Sequence, residues 1–299
     1  MSRIAVAGAS GLVGRVLVGR LRESGHEVVR LVRRNPTGPG DRHWDPESAA
    51  VGRELEGCDA AVNLAGHPIA TGILTASGRL LVRESRIRAT RHLAATCAAN
   101  GVGTLVSASA VGYYGNRGDL WLDETSPAGG GFLADTCVAW EQAARTAGSA
   151  TSREVRVRFG TILAPHGGAL AAMLPVFRMG LGGPLGSGRQ WVSWIHVEDA
   201  VSVLIRCVEE AGISGAVLGV SPNPLPQSEF AAALGAALRR PAILRVPSFL
   251  VRIALGRYAA ELLLWGQRCR PGVLESGGFP WRAPDLESAL ESLLRVSAT

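Results

Sequence analysis

Ser107 to Gly115 reads Ser-Ala-Ser-Ala-Val-Gly-Tyr-Tyr-Gly and gathers the hydroxyl groups that could do acid-base work in this chain. Ser109 stands four residues before Tyr113, at the end of an apolar run, Thr104 to Val106, that reads as a strand. A serine there can donate a hydrogen bond to a substrate carbonyl, and a phenol nearby can exchange a proton with it. The competing use of Ser109 is a satisfied strand-end hydroxyl. Behind Tyr113 as proton carriers stand Tyr114, Cys137 and His196, and a structural role is favoured for His196. All 31 basic residues are arginine, so no lysine exists to lower the pKa of a tyrosine. No pair of the six histidines has metal-ligand spacing on one helix, and no metal is expected.

Such groups need a scaffold, and the first fourteen residues announce one. Ile4-Ala5-Val6 is a buried strand running into Ala7-Gly-Ala-Ser-Gly-Leu-Val-Gly14. Leu12, Val13, Val16, Leu17 and Leu21 then recur at helical spacing as far as the stop at Ser24-Gly25. Gly8 can take a conformation closed to other residues, Gly11 lets the main chain approach a pyrophosphate, and Gly14 lets helix pack on strand. The backbone N–H groups around Ser10, Leu12 and Val13 then face the phosphates. The second strand, Val28 to Val32, ends in Arg33-Arg34, where an NAD-binding protein would offer an acidic residue to the ribose. A guanidinium fork suits a 2'-phosphate, so NADP(H) is the expected cofactor, the competing use of the pair being a solvated loop.

The remaining elements follow in alternation. Cys58 to Gly66 is an apolar strand whose small carboxyl end, Leu64, Ala65 and Gly66, leaves room for a ligand. Arg79 to Asn100 reads as a long helix with Arg86 toward the cofactor. Val155 to Gly160 is a strand and Thr161 to Pro165 a turn on the nicotinamide side. Gly167 to Gly188 is read as a flexible apolar lid, and Gln190, Trp191, Ser193 and Trp194 as an apolar substrate wall with polar tips. Val246 to Trp265 is a leucine-rich helical stretch with arginines on its other side. That other side carries Arg252, Arg257 and Glu261; the stretch could lie on a membrane surface, and packing over the substrate cleft is the favoured use.

Composition narrows the class. At 299 residues with 47% hydrophobic and 19% charged residues, the chain is an ordinary globular protein of one large domain or a large and a small one. The first apolar run is too short for a secretory signal, and no uncharged run reaches the ~18 residues needed to span a bilayer. Five cysteines without C-x-x-C spacing point to reduced thiols and a cytoplasmic protein. The net charge of +6 is spread along the chain with no basic run, so nucleic acid is not an expected partner. A small-molecule substrate is expected, no membrane partner is, and a homodimer is left open.

The spacing Gly8-x-x-Gly11-x-x-Gly14 resembles the extended short-chain dehydrogenase/reductase superfamily. That superfamily carries Ser-Ser-x-x-x-Tyr-Gly, whose last serine, matched by Ser109, polarises the substrate carbonyl. The resemblance makes Phe132 to Glu141 the helix that should carry its Tyr-x-x-x-Lys; counting back from Glu141, those positions fall on Leu133 and Cys137, so both of those catalytic side chains are missing. Gly188 to Asp199 is similar to its G-x-G-x-Q-x-R-D-F-I-H-V-D-D segment, with the sugar-nucleotide-gripping arginine replaced by Val192 and the aspartate by Ser193. Together with Val62 to Gly66, Glu84-Ser-Arg86 and Trp140-Glu141, these stretches resemble the "epimerase family protein" branch over essentially the full length. The resemblance implies an α/β fold with a Rossmann-type doubly wound, mostly parallel sheet and a smaller substrate domain. Residues 1–164, with later returns near 194–220, would bind the cofactor and 165–299 mainly the substrate. Two functions follow: an NADP(H)-dependent oxidoreductase or epimerase-like enzyme on a small carbonyl or alcohol, with Ser109 and Tyr113 at the reaction, or a non-catalytic NADP(H)-binding sensor.

Overall fold

The computed structural model describes residues 1–34, 36–48, 50–145 and 153–296. They form two compact units that share the chain in alternating segments. The first comprises Met1–Ser109, Thr136–Val157 and Val201–Val217, the second Ala110–Asp135, Arg158–Ala200 and Leu218–Thr299.

A seven-stranded sheet organises the first unit. Its early strands are β1 (Arg3–Ala7), β2 (Glu27–Val32), β3 (Asp41–His43), β4 (Ala60–Asn63) and β5 (Thr104–Ala110). Across the sheet the order is Gly215–Gly219, Arg153–Phe159, β5, β4, β1, β2, β3, so the chain reverses direction of growth beside β1. The β1–β2, β1–β4, β2–β3 and β4–β5 ladders are all parallel. Strands covered on both faces need apolar residues in succession rather than alternation, and Ile4, Ala5, Val6 and Ala7 are each 0% exposed. Helix α1 (Leu12–Glu23) buries Gly14, Leu17, Val18 and Leu21 and ends at Ser24, before Gly25 with φ +81°. Helix α2 (Ile69–Gly72) is one turn. Helix α3 (Ala76–Ala99) begins three residues earlier than the apolar pattern indicates, because the Thr75 hydroxyl accepts the Gly78 N–H at 3.0 Å. Between α3 and the sheet lies a core of Val29, Leu31, Trp44, Leu55, Leu93 and Leu105, among others. Helix α4 (Phe132–Arg145) follows the superfamily-like stretch noted above.

In the second unit three small sheets pair segments distant in sequence: Thr161–Ala164 with Trp194–His196, Trp191–Val192 with Leu225–Pro226, and Trp121–Leu122 with Arg268–Cys269. Two expectations are corrected here. Thr161–Ala164 is a strand rather than a turn, since its β-branched residues pair in parallel with Trp194–His196. The expected lid is a helix, Gly168–Arg178, followed by a glycine run bound through its backbone: Gly182 and Pro184 carbonyls accept the Leu244 and Val246 N–H groups, and the Gly186 N–H donates to Val246. All five cysteines are buried and none is in a disulfide, and burial pushes the Cys97, Cys207 and Cys269 thiols up to about 12.

Candidate functional site

The glycine turn is built by contact. Gly8 has φ +80°, and a Cβ on it would stand 2.7 Å from the Leu64 carbonyl carbon and 2.9 Å from the Ala65 nitrogen. A Cβ on Gly14 would meet the Gly8 carbonyl oxygen at 2.2 Å, which is why α1 can start so close to the end of β1. Gly11 caps α1 without any side-chain bond, leaving N–H donors of the first turn for another acceptor. Ser10 beside them is exposed.

The exit of β4 is held from below. The Asn63 side chain, fully buried, donates to Thr90 Oγ1 at 2.7 Å and accepts the Ala65 N–H at 3.1 Å. Trp140 Nε1 donates to the same Thr90 oxygen at 2.8 Å, tying α4 to α3. Arg86 lies under Gly66, whose added Cβ would meet its guanidinium carbon at 3.2 Å, and it lies 5.2 Å from the Trp140 ring centroid. Its Nη1 donates to the carbonyls of His67 and Val82 at 2.8 and 3.0 Å. Burial lowers its pKa from the ordinary arginine value, and no carboxylate among the described residues pairs with it. Gly8, Gly14, Leu64, Ala65, Gly66 and Arg86 are thereby brought into one region of the first unit.

At the end of β2 the arginines divide by role. Arg30 makes a two-pronged bond to Asp41, at 2.6 and 2.8 Å, which holds the Asp41 carboxyl below its usual range. Arg33 and Arg34 are exposed and have no hydrogen-bond or ion-pair partner among the described residues.

Ser109, 3% exposed, donates to Glu141 Oε1 at 2.8 Å. Glu141 Oε2 pairs with Arg156 at 3.2 Å, and Arg156 with Glu154 at 2.6 Å. This buried chain of alternating charge was not legible in the sequence, where Glu141 marks only an alignment position. Burial raises the Glu154 pKa, opposed by Arg156.

In the second unit, residues 111–114 form a short 3-10 turn in which the two adjacent tyrosines differ sharply. Tyr114 is 0% exposed; its hydroxyl donates to the Asp123 carbonyl at 2.7 Å and accepts from Arg158 at 2.8 Å. Burial raises its pKa well above the ordinary phenol value. Tyr113 is half-buried, its ring 3.6 Å from the Arg158 guanidinium, and its hydroxyl has no partner among the described residues. The expected wall residues are fully engaged: Gln190 donates to the Leu185 and Leu263 carbonyls, Trp191 to Asp119, Ser193 to the Gln267 carbonyl and Trp194 to the Asn223 carbonyl. Ser193 and Trp194 are buried, at 4% and 0% exposure, whereas Gln190 and Trp191 are half-buried. Arg268 lies 3.9 Å from both Trp121 and Trp191 ring centroids, a stack that no local pattern signalled. His196 is structural in geometry: Nδ1 accepts the Glu198 N–H at 3.1 Å and Nε2 lies 3.0 Å from Ser292 Oγ. Leu133 and Cys137, where tyrosine and lysine would stand, are buried at 8% and 5% exposure.

Comparison with known proteins agrees with this architecture. Residues 4–219 match the model of the "NAD dependent epimerase/dehydratase family", and 246–293 match a domain of unknown function, DUF1731. An epimerase family protein of Mycobacterium tuberculosis is 45% identical, with 96% of each chain covered. Epimerase family protein YfhF of Bacillus subtilis is 35% identical, with 97% of each covered. The crystal structure of human epimerase family protein SDR39U1 with NADPH superposes with a TM-score of 0.90 at 36% identity, covering 98% of this chain and 99% of that one. By its glycine turn, its parallel sheet and a match over most of its length, the chain belongs to the NAD dependent epimerase/dehydratase family.

Proposed function

We propose that this protein is an NADP(H)-dependent oxidoreductase or epimerase-like enzyme acting on a small carbonyl or alcohol. The observation that carries the cofactor reading is the pair Arg33 and Arg34, exposed and uncommitted beyond β2 while Arg30 is consumed by Asp41. The glycine turn fits a pyrophosphate, since a Cβ at Gly8 or Gly14 would fill the space and α1 offers uncapped N–H donors. Arg86, a half-buried cation without a carboxylate among the described residues, favours an anion near Gly66. The human relative crystallised with NADPH supports the same choice.

When bound, the nicotinamide supplies or accepts a hydride. The chain's part is to manage the proton, and the usual tyrosine and lysine are absent. Ser109 gives its own hydrogen to Glu141, so its oxygen is an acceptor suited to a substrate hydroxyl; donating to a carbonyl requires it to turn away from Glu141. Tyr113 is the proposed proton carrier, because its hydroxyl is uncommitted whereas that of Tyr114 is spent. Arg158 fixes the Tyr113 ring by stacking on it. Gln190, Trp191, Ser193 and Trp194 are proposed to shape the substrate region, Ser193 and Trp194 from behind.

Incubation with NADPH and a panel of small carbonyls, followed by the loss of reduced-nicotinamide absorbance, tests the enzyme reading. Turnover that falls in Tyr113→Phe and Ser109→Ala while NADPH binding persists is the expected result. The burial of apolar Leu133 at the tyrosine position favours a second reading, a non-catalytic NADP(H)-binding sensor. Tight NADPH binding without turnover of any panel member selects it.

A further inference from the structure

Between Phe230 and Ala260 the chain carries five arginines, Arg239, Arg240, Arg245, Arg252 and Arg257, and no carboxylate. All five are exposed, and none is in an ion pair among the described residues. The same stretch exposes its large apolar side chains. Ile243 is 80% exposed, Ile253 77% and Phe249 59%, with Leu250 also outward. Val251 and Ala260 of this stretch are buried, and Ile243, Ile253, Phe249 and Leu250 are not. Met179 and Leu181 join the same surface, because the 182–186 backbone is hydrogen-bonded alongside Leu244 and Val246. The helix Ser248–Leu264 is broken at Gly256, with φ +79°. Phe249 and Ile253, one turn apart, therefore sit on its first segment with Arg252 and Arg245 close in sequence.

Isolated exposed apolar residues are ordinary, but a set of them beside five exposed arginines, with the neighbouring carboxylate Glu261 buried, is a surface with a preferred partner. A second copy meeting this face through a two-fold axis would set five arginines against five. A neutral bilayer would accept the apolar residues and leave the charge unused. A negatively charged lipid surface accepts both. We propose that residues 239–257, with Met179 and Leu181, form a docking surface for an anionic membrane surface. The protein lies on it, held by shallow insertion of Ile243, Phe249 and Ile253 and by arginine contacts to the headgroups. No helix among the described residues is long and apolar enough to cross a membrane, which agrees with peripheral attachment. This assignment stands apart from the cofactor reading, since it uses none of the residues around the glycine turn.

The test is co-sedimentation of the full chain with extruded vesicles of phosphatidylcholine alone or mixed with phosphatidylglycerol. Partitioning at least about tenfold stronger onto the mixed vesicles, and lost in high salt, is expected. Ile253→Asp and Ile243→Asp should each abolish it, and Arg245→Ser with Arg252→Ser should weaken it strongly. Thermal unfolding and NADPH titration of the same variants check that these exposed positions leave the fold intact. No partitioning, equal partitioning onto both vesicles, or binding indifferent to Ile253→Asp and Ile243→Asp would overturn the proposal. So would a vesicle-free dimer in analytical ultracentrifugation that Ile253→Asp dissociates, which would assign the face to a second copy.

Discussion

Ser109 and Glu141 show how much a single bond decides at the scale of one residue. With its proton given to Glu141, the serine oxygen is left as an acceptor. Replacing Ser109 by alanine leaves a buried carboxylate oxygen short of a donor and should cost about 1–3 kcal/mol in denaturant unfolding. Glu141→Gln keeps a partner for Ser109 but breaks the ion pair to Arg156, and should cost about 3 kcal/mol. His196 supplies the pH dependence. Burial holds its pKa below the ordinary value of 6.5, and its Nδ1 must stay unprotonated to accept the Glu198 N–H. The unfolded chain therefore binds the extra proton first, so this stability is complete above the unfolded pKa and falls as pH drops from about 6.5 toward the folded value. Scanning calorimetry should show Tm falling between about pH 7 and 5, with a smaller fall in His196→Asn, since asparagine offers a neutral acceptor. An unchanged slope in that variant would contradict the assignment.

Elements were legible where their burial is simple. β1 announces itself as an unbroken apolar run because both faces of a parallel strand are covered. β2 and β5 read as apolar runs interrupted by Arg30 and by Ser107 and Ser109, and α1 is marked by its periodicity. Thr161–Ala164 reads as a turn because Pro165 follows four residues that need a partner from far along the chain. Gly168–Arg178 hides its helix behind flanking glycines and an internal Pro175. The glycines of α1 give a paired prediction. Gly14→Val must push against the Gly8 carbonyl and should destabilise by about 2–4 kcal/mol and weaken NADPH binding. Gly19→Ala, with nothing within 4 Å of the new methyl, should stabilise α1 by up to about 1 kcal/mol and leave binding unchanged. Denaturant melts of both variants check the pair.

For the molecule as a whole, residue types around the candidate site were readable, but their pairings were not. Glu141 finds Ser109 across 32 positions, and Arg268 enters between tryptophans that no periodicity links to it. Such contacts follow from topology, and in the second unit the small sheets join segments far apart in sequence. The absence of lysine was visible at once, and its consequence is that arginine is the one side chain in this sequence that is always charged and can contact a phosphate as a cation. That places the central claim on Arg33 and Arg34, the uncommitted guanidiniums beyond β2. Titration calorimetry of NADPH and NADH on the intact chain and on Arg33→Ala/Arg34→Ala tests it most directly. The intact protein should bind NADPH at least about tenfold more tightly than NADH, and the double variant should lose that margin while holding NADH as before. Equal affinity for the two cofactors in the intact protein, or a margin that survives the loss of both arginines, would contradict the account.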